Sequence, residues 1–540
     1  MLQLTPVSTI RLRTPWLVLG ALALAGLFLL AGVRRTLPRT SGTVHVSGLH
    51  GPVTIARDRW GVPYIFAADE HDLSLAQGYV TAQDRLWQML LRRQAAQGHL
   101  GDWLGPSAAA ADDVLRRQDF SAQAVTALSA LDEPARAILE AYALGVNACM
   151  ATCPTPLEIS LQRKTNIAPW TAADSLSLSH MMRWAQRPDI ELCTALLSRL
   201  GPDRVSSLWP ARTSPTGPTQ PPDPAVRQAL QLIGAPLTAG GVETAPAVPS
   251  PWYVMSLYSD RAAAAGAAAA GATWPGVPGH ARLTSSAADQ SADPSPTLVE
   301  HLLALPPEGW LQFRVHGMLR QWDYDLSGAT RLGNASAAVY QAWVWHLARD
   351  TFQDELGPEL FARYWAAGHA PDALVRLSDR PGDAWWDDVT TDQPETRDDI
   401  MRRAYAAALL DLGRHYGDLH TIWEWDTMHA AVFRHPLGRA WPLTWLNHRV
   451  KIGGETPFDP AHPNDPLRPY AATIVPTLRI WQGVDGVTRF AMAGGESGHP
   501  FSPHYADLLS LWAQGKDVPL QNPARPQDLM DTQSVLTLTP

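Results

Sequence analysis

Two neighbouring stretches of the sequence decide how the fold begins. The first reads Ile55-Ala56-Arg57-Asp58-Arg59-Trp60-Gly61-Val62-Pro63-Tyr64-Ile65, and the second reads Ala76-Gln77-Gly78-Tyr79-Val80-Thr81-Ala82-Gln83-Asp84-Arg85-Leu86-Trp87-Gln88-Met89. Alternation over residues 44–55, a turn at Trp60-Gly61 and the run 62–65 predict two strands joined by a turn. Apolar residues then recur at steps of three, four and seven, which predicts a long helix over residues 72–97. We therefore expect the order strand, turn, strand, helix.

Further along the chain, helical and strand-like patterns occupy different regions. Helical periodicity predicts helices at residues 134–148, 172–185 and 190–200 and a helix-rich part over 297–413, whereas short strands and Gly-rich turns are expected from Trp423 onward. Pro-rich runs predict a surface linker between Gly201 and Ser250. The Ala-rich tract 262–271 is a low-complexity segment that carries no chemistry. We therefore divide the chain into four regions. These are the N-terminal segment 1–42, the helix-rich region 43–200, the Pro-rich linker 201–250 and the C-terminal region 251–540.

Length and composition exclude several classes of protein. The chain has 540 residues, of which 46% are hydrophobic and 18% are charged, and its formal net charge is −9. Such a chain buries a sizeable core, so neither a disordered nor a collagen-like protein fits, and more than one structural unit is expected. The acidic balance argues against nucleic acid as a partner.

The N-terminus carries an apolar segment between arginines, which is typical of a signal peptide or a membrane anchor. Residues 15–33 are uncharged and mostly Leu, Ala, Gly and Val, with arginines at positions 11, 13, 34 and 35. This length suits one transmembrane helix of about 20 residues, whereas the apolar part of a signal peptide is about 7–15 residues long. An uncleaved signal-anchor and a cleaved signal both remain open. Either predicts a membrane-anchored or secreted protein, periplasmic or otherwise outside the cytoplasm, with a membrane contact through this segment.

The cysteines predict neither a zinc site nor a disulfide framework. Cys149, Cys153 and Cys193 form an odd set with no Cys-x-x-Cys pair. Cys149 and Cys153 are four residues apart, which is helical spacing. We expect both to be ordinary small apolar residues.

The quoted strings resemble the start of the penicillin acylase family, and the far end of the chain agrees. The C-terminal strings are Trp423-Glu424-Trp425, His435-Pro436-Leu437-Gly438, Gly494-Gly495-Glu496-Ser497-Gly498 and Phe501-Ser502-Pro503-His504-Tyr505-Ala506-Asp507, and Trp274-Pro275-Gly276-Val277-Pro278-Gly279-His280 lies between the two ends. The resemblance covers roughly residues 44–200, 251–293 and 317–515.

The resemblance implies a fold and an activity. The fold is α+β, an N-terminal-nucleophile hydrolase-like four-layer αββα sandwich. The protein would be an exported proenzyme, or zymogen, that cuts itself into a two-chain heterodimer and exposes a serine at the new N-terminus. That serine would attack a small-molecule linear amide, of the β-lactam antibiotic or acyl-homoserine-lactone type, and release an amine and a carboxylic acid. A terminal α-amine has a pKa of about 7.7–8.0, so it is able to take the serine's proton.

The chain departs from the family where the catalytic groups belong. The family's Gly-Ser-Asn segment with the nucleophile, its Asp-Pro-His run and its Ala-Asn-Asn segment with the oxyanion asparagine have no counterpart here. Ser250 is the one candidate nucleophile. Pro249 and Pro251 on either side disfavour it, because Pro251 lacks an N–H and fixes φ where the chain must fold back. We therefore leave the catalytic residues unassigned and expect depleted central strands and marginal stability.

A serine near the C-terminus offers a weaker alternative. The segment Gly494-Gly495-Glu496-Ser497-Gly498 is similar to a nucleophile elbow, but His499 stands where the last glycine belongs. A triad is defined by geometry, so we interpret Ser497, His499 and His504 as loop and packing residues.

One structural calcium ion is implied by the resemblance. Glu191 matches the family's carboxylate ligand from the first chain, and Asp289 and Asp293 lie where the second chain supplies others. Carboxylate oxygens suit calcium, which takes six to eight of them. A solvated acidic helix end and loop is the alternative.

Three hypotheses for function follow. The first is an exported amidase, a hydrolase acting on carbon–nitrogen bonds of linear amides. The second is a catalytically inactive remnant of the same family. The third is a membrane-anchored binding scaffold, which would retain ligand without turnover.

Overall fold

A computed structural model describes most of the chain. The described residues are 32, 34–185, 190–208, 243–244, 247–260, 263–271, 294–324, 331–366, 369–417, 423–424, 429–439, 441–451, 470–472, 475–483 and 485–540. Within these ranges, no helix combines the length and the apolar character that a membrane crossing requires. The expected membrane segment, residues 15–33, lies outside them apart from Gly32.

Helices and strands are both abundant. The helices are α1 (Glu70–Gln97), α2 (Gly101–Leu104), α3 (Pro106–Gln118), α4 (Phe120–Ala130), α5 (Glu133–Thr152), α6 (Leu157–Leu161), α7 (Ala172–Ala185), α8 (Ile190–Leu200), α9 (Pro202–Leu208), α10 (Pro294–Ala304), α11 (Gly309–Leu319), α12 (Arg331–Leu356), α13 (Pro358–Ala366), α14 (Ala370–Ser378), α15 (Arg397–Tyr416) and α16 (Leu509–Ala513). Short 3-10 helices lie at Ala384–Trp386, Leu443–Leu446 and Pro526–Asp528.

The strands are β1 (Gly42–His45), β2 (Val53–Arg57), β3 (Pro63–Phe66), β4 (Glu243–Thr244), β5 (Trp252–Tyr258), β6 (Ala263–Ala269), β7 (His429–Phe433), β8 (His448–Lys451), β9 (Tyr470–Ala472), β10 (Val475–Pro476), β11 (Leu478–Gln482), β12 (Thr488–Met492), β13 (Val518–Pro519) and β14 (Ser534–Thr539). Six of them form one sheet in the order β1-β14-β2-β3-β5-β6. β2 and β3 are antiparallel, β3 and β5 are parallel, and the C-terminal strand β14 lies between β1 and β2. The sheet therefore joins segments from both ends of the chain.

The two faces of the six-stranded sheet pack into different hydrophobic cores, because alternate side chains of its strands point to opposite faces. On one face, Ile55, Ile65 and Tyr253 pack with α1 and α5. On the other face, Tyr64 and Val254 pack with residues of the small β11-β12-β13 sheet. Successive strand residues point to opposite faces, which is why one strand serves both cores.

The helical layer depends on a close crossing of α1 and α5. A Cβ atom at Gly145 of α5 would overlap the backbone oxygen of Leu75. A Cβ at Gly78 of α1 would overlap that of Tyr142. Each glycine thus lets one helix backbone approach the other.

The layers follow the order helix, sheet, sheet and short helix. α16 packs beyond the small sheets, where Leu509 and Trp512 share a core with Phe433 of β7 and Ala491 of β12. The α+β class is confirmed. The edge strand β6 contains only Ala and Gly, so it offers little apolar side-chain area to either core.

A separate helical part carries its own core. Helices α8 to α15 bury a Trp-rich cluster that includes Trp343, Trp365 and Trp386. The predicted helices 172–185 and 190–200 have the bounds of α7 and α8, and the helix-rich part over 297–413 is confirmed. The strand-rich pattern after Trp423 is also confirmed.

Two regional expectations need correction. The predicted linker begins with a helix, α9, whose Val205 and Leu208 are buried in the helical core. The Ala-rich tract forms strand β6, which pairs along its full length with β5. The hydrogen bonds to β5 favour this strand although Ala and Gly have low strand propensity.

The expectation for the cysteines is wrong. Cys149 and Cys153 form a disulfide, with their Cα atoms 5.0 Å apart. Cys149 lies in the last turn of α5, and Cys153 leaves the helix in extended conformation at its end. This departure brings the two side chains within bonding reach, since disulfides span Cα separations of about 4.4–6.8 Å. Cys193 is a free, buried thiol.

Candidate functional site

Ser250 lies at the head of β5, an inner strand of the six-stranded sheet. Its side chain is fully buried. The hydroxyl oxygen accepts a hydrogen bond from the backbone N–H of Trp252 at 3.3 Å. A Cβ at Gly494 would lie 2.8 Å from that of Ser250, so only glycine permits the loop 494–498 to approach so closely. The sequence analysis placed Ser250 at the end of the predicted linker, whereas the structure places it between α1 and this loop.

Arg85 of α1 binds the segments around Ser250. Its Nη1 donates to the backbone oxygen of Ser250 at 2.8 Å, and its Nη2 donates to that of Trp252 at 3.2 Å. The same guanidinium donates to the oxygens of Gly495 at 2.5 Å and Glu496 at 2.7 Å. Burial lowers the pKa of Arg85. One buried cation thereby joins helix, strand and loop, and its bonds to carbonyls are of the strong, charge-assisted kind.

Gln88 lies one turn further along α1 and faces the peptide bond before Ser250. Its Nε2 donates to the backbone oxygens of Ser250 at 2.9 Å and of Pro249 at 3.4 Å. Beside it lies a cavity of about 10 Å³ lined by Trp87, Gln88, Leu91, Ala247, Val248, Pro249 and Pro436. That volume is close to the minimum for one water molecule and far too small for an amide substrate.

A second group of buried ionisable side chains lies beside Arg85, whose guanidinium is 5.5 Å from the ring centroid of Tyr253. Arg57 pairs with Asp84 at 2.7 Å, and the hydroxyl of Tyr253 donates to the same carboxylate. Burial, together with the negative charge of Asp84, raises the pKa of Tyr253 well above its ordinary value. Burial likewise raises the pKa of Glu496 well above its ordinary value, and its carboxylate oxygens accept the N–H of Val254 at 3.2 and 3.3 Å.

The loop containing Ser497 has no triad geometry among the described side chains. Ser497 Oγ accepts the backbone N–H of His499 at 3.1 Å. The ring of His499 receives the N–H of Phe501 at Nδ1, and its Nε2 is 2.7 Å from the hydroxyl of Thr36. His504 pairs instead with Asp507 at 2.8 Å. The interpretation of these residues as loop and packing groups agrees with this arrangement.

A buried histidine–glutamate pair lies behind this region. His435 accepts the backbone N–H of Leu437 at Nδ1, which leaves its Nε2 toward Glu158. That nitrogen lies 3.3 Å from Oε1 of Glu158. Both side chains are almost completely buried. The pair joins α6 to the segment after β7 and lies outside the Ser250 network.

Sequence reasoning missed most of this network. It marked Asp84, Arg85 and Gln88 only as part of a resembling string. A signal was present, however, because charged and amide side chains recur on a helix whose other positions are almost all apolar. Such residues have to find buried partners.

The proposed calcium ligands are not brought together within the described residues. Glu191 lies in the first turn of α8. Asp289 and Asp293 lie outside the described residues. The calcium site therefore stays a prediction.

The fold and the buried strings agree with a known family of proteins. The family described as Penicillin amidase matches residues 52–285 and 280–526, which is most of the chain. The chain therefore belongs to the penicillin amidase family.

Individual relatives match parts of the chain. Penicillin acylase 2 proenzyme of Pseudomonas sp. (strain SE83) is 42% identical over 130 residues, which are 24% of this chain and 17% of that protein. Acyl-homoserine lactone acylase QuiP of Pseudomonas aeruginosa is 29% identical over 242 residues, which cover 39% of this chain and 28% of that protein. Penicillin G acylase of Escherichia coli is 34% identical over 119 residues, covering 22% and 14%. The matches thus span well under a third of each relative.

Solved structures of similar proteins also come from this family. A chain of the thermostable Penicillin G acylase from Alcaligenes faecalis, in its tetragonal form, is 28% identical. The match has a TM-score of 0.25 and covers 32% of this chain and 97% of that chain.

Proposed function

We propose that this protein hydrolyses the carbon–nitrogen bond of linear acyl amides and that Ser250 is its nucleophile. Family membership supports the reaction class. The observation that carries the assignment is the position of Ser250 at the head of an inner strand, with its flanking peptide groups held by Arg85 and Gln88. A nucleophile on a strand end of a rigid sheet is held in a fixed position relative to these donors.

Activation would begin with cleavage of the chain itself. Ser250 Oγ attacks the carbonyl carbon of Pro249, the bond between that carbon and the Ser250 nitrogen breaks, and an ester forms. Water then hydrolyses the ester to the carboxylate of Pro249 and a free serine with its hydroxyl and α-amine. Gln88 Nε2 already donates to the Pro249 oxygen, where negative charge develops.

The second reaction would use the new amine as the base. At its ordinary pKa of about 7.7–8.0, a large fraction is neutral near pH 8 and takes the proton of the hydroxyl. The serine oxygen attacks the amide carbon of the substrate, the amine leaves with a proton, and water releases the carboxylic acid. The intact chain encloses Ser250 completely, which fits a proenzyme that is inactive before cleavage.

A paired substitution tests this proposal. The full chain, Ser250→Ala and Ser497→Ala are purified and assayed for chain cleavage and for hydrolysis of a chromogenic acyl amide. Ser497 is the matched control because it is also a buried serine with a backbone N–H on its hydroxyl. The proposal requires cleavage and turnover in the parent and in Ser497→Ala, and loss of both in Ser250→Ala.

The inactive member of the family is the second candidate. It is favoured by Pro249 and Pro251, which flank Ser250. This alternative predicts an uncut chain with no turnover in all three proteins. A binding scaffold would in addition retain an amide ligand, which calorimetry with a phenylacetylated or long-chain acyl amide measures.

The substrate class is part of the proposal. Two groups of relatives are named for penicillin and for acyl-homoserine lactone, so the amides to be compared are penicillin G and N-acyl homoserine lactones of different chain length. Preference for either is measured as kcat/KM, and cleavage of the linear side-chain amide of penicillin G would connect the protein to antibiotic chemistry. After cleavage, the first and second chains would stay together as a heterodimer, because β2, β3 and β5 share one sheet.

We also propose that the protein is exported and remains at the membrane or outside the cytoplasm. The apolar N-terminal stretch supports this, and so does the Cys149–Cys153 disulfide, since such bonds persist in oxidising compartments. Accessibility of the chain to protease added to spheroplasts tests the location. Protection equal to that of a cytoplasmic marker would contradict it.

Calcium binding through Glu191, Asp289 and Asp293 is proposed from the family resemblance alone. Calcium should raise the melting temperature of the full chain, and Glu191→Gln should reduce that rise. An equal rise in both proteins would contradict a role for Glu191.

A further inference from the structure

Four metal-ligating side chains meet at the start of α1, away from Ser250. They are His50, in the connection between β1 and β2, and Asp69, His71 and Asp72. One donor atom from each lies within 4.8 Å of all the others. Two segments of the chain, 19 residues apart, thus contribute to one group of imidazole nitrogens and carboxylate oxygens.

The distances are those of a compact cluster. His50 Nδ1 lies 2.9 Å from Asp69 Oδ2 and 3.9 Å from Asp72 Oδ1. His71 Nδ1 lies 3.1 Å from the same Asp72 oxygen. The two imidazole rings are stacked, with their centroids 4.3 Å apart and their planes 17° apart, so the exposed ring of His50 has to turn before both Nδ1 lone pairs meet at one ion.

The backbone holds the carboxylates in place. Asp72 is buried, and its carboxylate accepts the N–H groups of His50 at 2.9 Å and of Gly51 at 2.8 Å. Asp69 uses Oδ1 to cap α1 through the N–H of Asp72 at 2.8 Å, which leaves Oδ2 toward His50. The His50 backbone and the first turn of α1 are therefore tied together without any ligand.

These separations suit a small tetrahedral ion. Zinc binds imidazole nitrogen at about 2.0–2.1 Å and carboxylate oxygen at about 2.0–2.2 Å, so tetrahedral donors lie roughly 3.4 Å apart. Three of the six donor separations, 2.9, 3.1 and 3.9 Å, lie on either side of that value, and the other three are at most 4.8 Å. Two imidazoles with two carboxylates favour zinc and similar transition ions over calcium, which prefers an all-oxygen shell.

We propose that His50, Asp69, His71 and Asp72 bind one divalent transition-metal ion with the coordination chemistry of zinc. The metal replaces the hydrogen bonds between the two Nδ1 atoms and the carboxylates, and each imidazole binds as the neutral ligand. The ion then clamps the loop that carries His50 onto the first turn of α1. This site shares no residue with the calcium ligands expected from the family.

Titration of the full chain, without a polyhistidine tag and freed of metal, tests the site. Zinc chloride is added in a calorimeter to the parent, to His50→Ala and to His99→Ala. His50 is largely exposed, so its removal should leave the fold intact, as equal metal-free melting temperatures would verify. His99 is the matched control, because it is also exposed and lies 3.5 Å from a helical aspartate, Asp102.

The parent and His99→Ala should bind one equivalent of zinc with equal affinity, whereas His50→Ala should bind that equivalent at least tenfold more weakly. Cobalt added to the parent should give the intense visible absorption of a tetrahedral site, and His50→Ala should lack it. The proposal is overturned if the parent binds no zinc, or if His50→Ala binds it as tightly as the parent does.

Discussion

The guanidinium of Arg85 donates a hydrogen bond to the backbone oxygen of Ser250 at 2.8 Å, although the two residues are 165 positions apart. Arg85 itself lies in the middle of α1, which crosses α5 closely at Gly78 and Gly145. The same cation holds the loop 494–498 against the head of β5. One buried side chain therefore joins the three segments that position the candidate nucleophile, together with Gln88 and Gly494.

Removal of that cation should destabilise the protein strongly. In Arg85→Ala, four backbone oxygens lose a buried donor, and the charge-assisted bonds are lost together. We expect the free energy of unfolding to fall by about 3–5 kcal/mol, as measured by urea denaturation. Arg59→Ala is the control, since Arg59 is exposed and lies 3.7 Å from the exposed Asp531, and it should change stability by less than about 1 kcal/mol. Similar losses in both variants would contradict the role of Arg85.

Glu496 should make stability depend on pH in a defined direction. Because burial raises its pKa, the folded state keeps a proton that the unfolded chain releases above its ordinary pKa. The free energy of unfolding therefore falls as pH rises from the ordinary value toward the folded one, by up to about 1.4 kcal/mol per pH unit.

Glu496→Gln removes this contribution while it keeps an acceptor for Val254. The stability of the variant relative to the parent should thus increase from pH 5 to pH 8 in chemical denaturation. Glu133→Gln, at an exposed position, should show a constant difference. A constant difference for Glu496→Gln as well would exclude the buried proton.

The helix crossing should not tolerate a methyl group. A Cβ at Gly145 would overlap the backbone oxygen of Leu75, so Gly145→Ala forces α1 and α5 apart. We expect a loss of at least about 2 kcal/mol in urea unfolding. A Cβ at Gly317 in α11 would meet no atom within 4 Å, so Gly317→Ala should instead stabilise by about 0.5–1 kcal/mol. Equal effects would show that the crossing is not close-packed.

Local patterns explain which parts of the fold could be predicted from the sequence. The bounds of α7 and α8 follow from apolar periodicity within each segment, and the β2-turn-β3 unit and α1 follow from the quoted stretches. The single strand expected over residues 44–55 is wrong, because residues 46–52 separate β1 from β2. Strand β6 could not be predicted, because Ala and Gly do not indicate a strand and only pairing with β5 makes it one. The disulfide depended on how the chain leaves α5, which spacing alone does not define.

The site was less predictable because its geometry depends on contacts between segments that are distant along the chain. Ser250 could be identified as a candidate from its sequence, but its position depends on Arg85, Gln88 and Gly494, which are distant along the chain. Hydrogen bonds from side chains to backbone carbonyls leave no pairing signal in the sequence, because every residue has a carbonyl.

The most direct test of the central claim is the N-terminal sequence of the C-terminal fragment after the purified full chain is incubated near pH 8. We predict a fragment that begins Ser250-Pro251-Trp252, formed together with amide-hydrolysing activity, and absent from Ser250→Ala. A chain that stays uncut and hydrolyses no acyl amide, or a fragment that begins at another residue, would contradict the account.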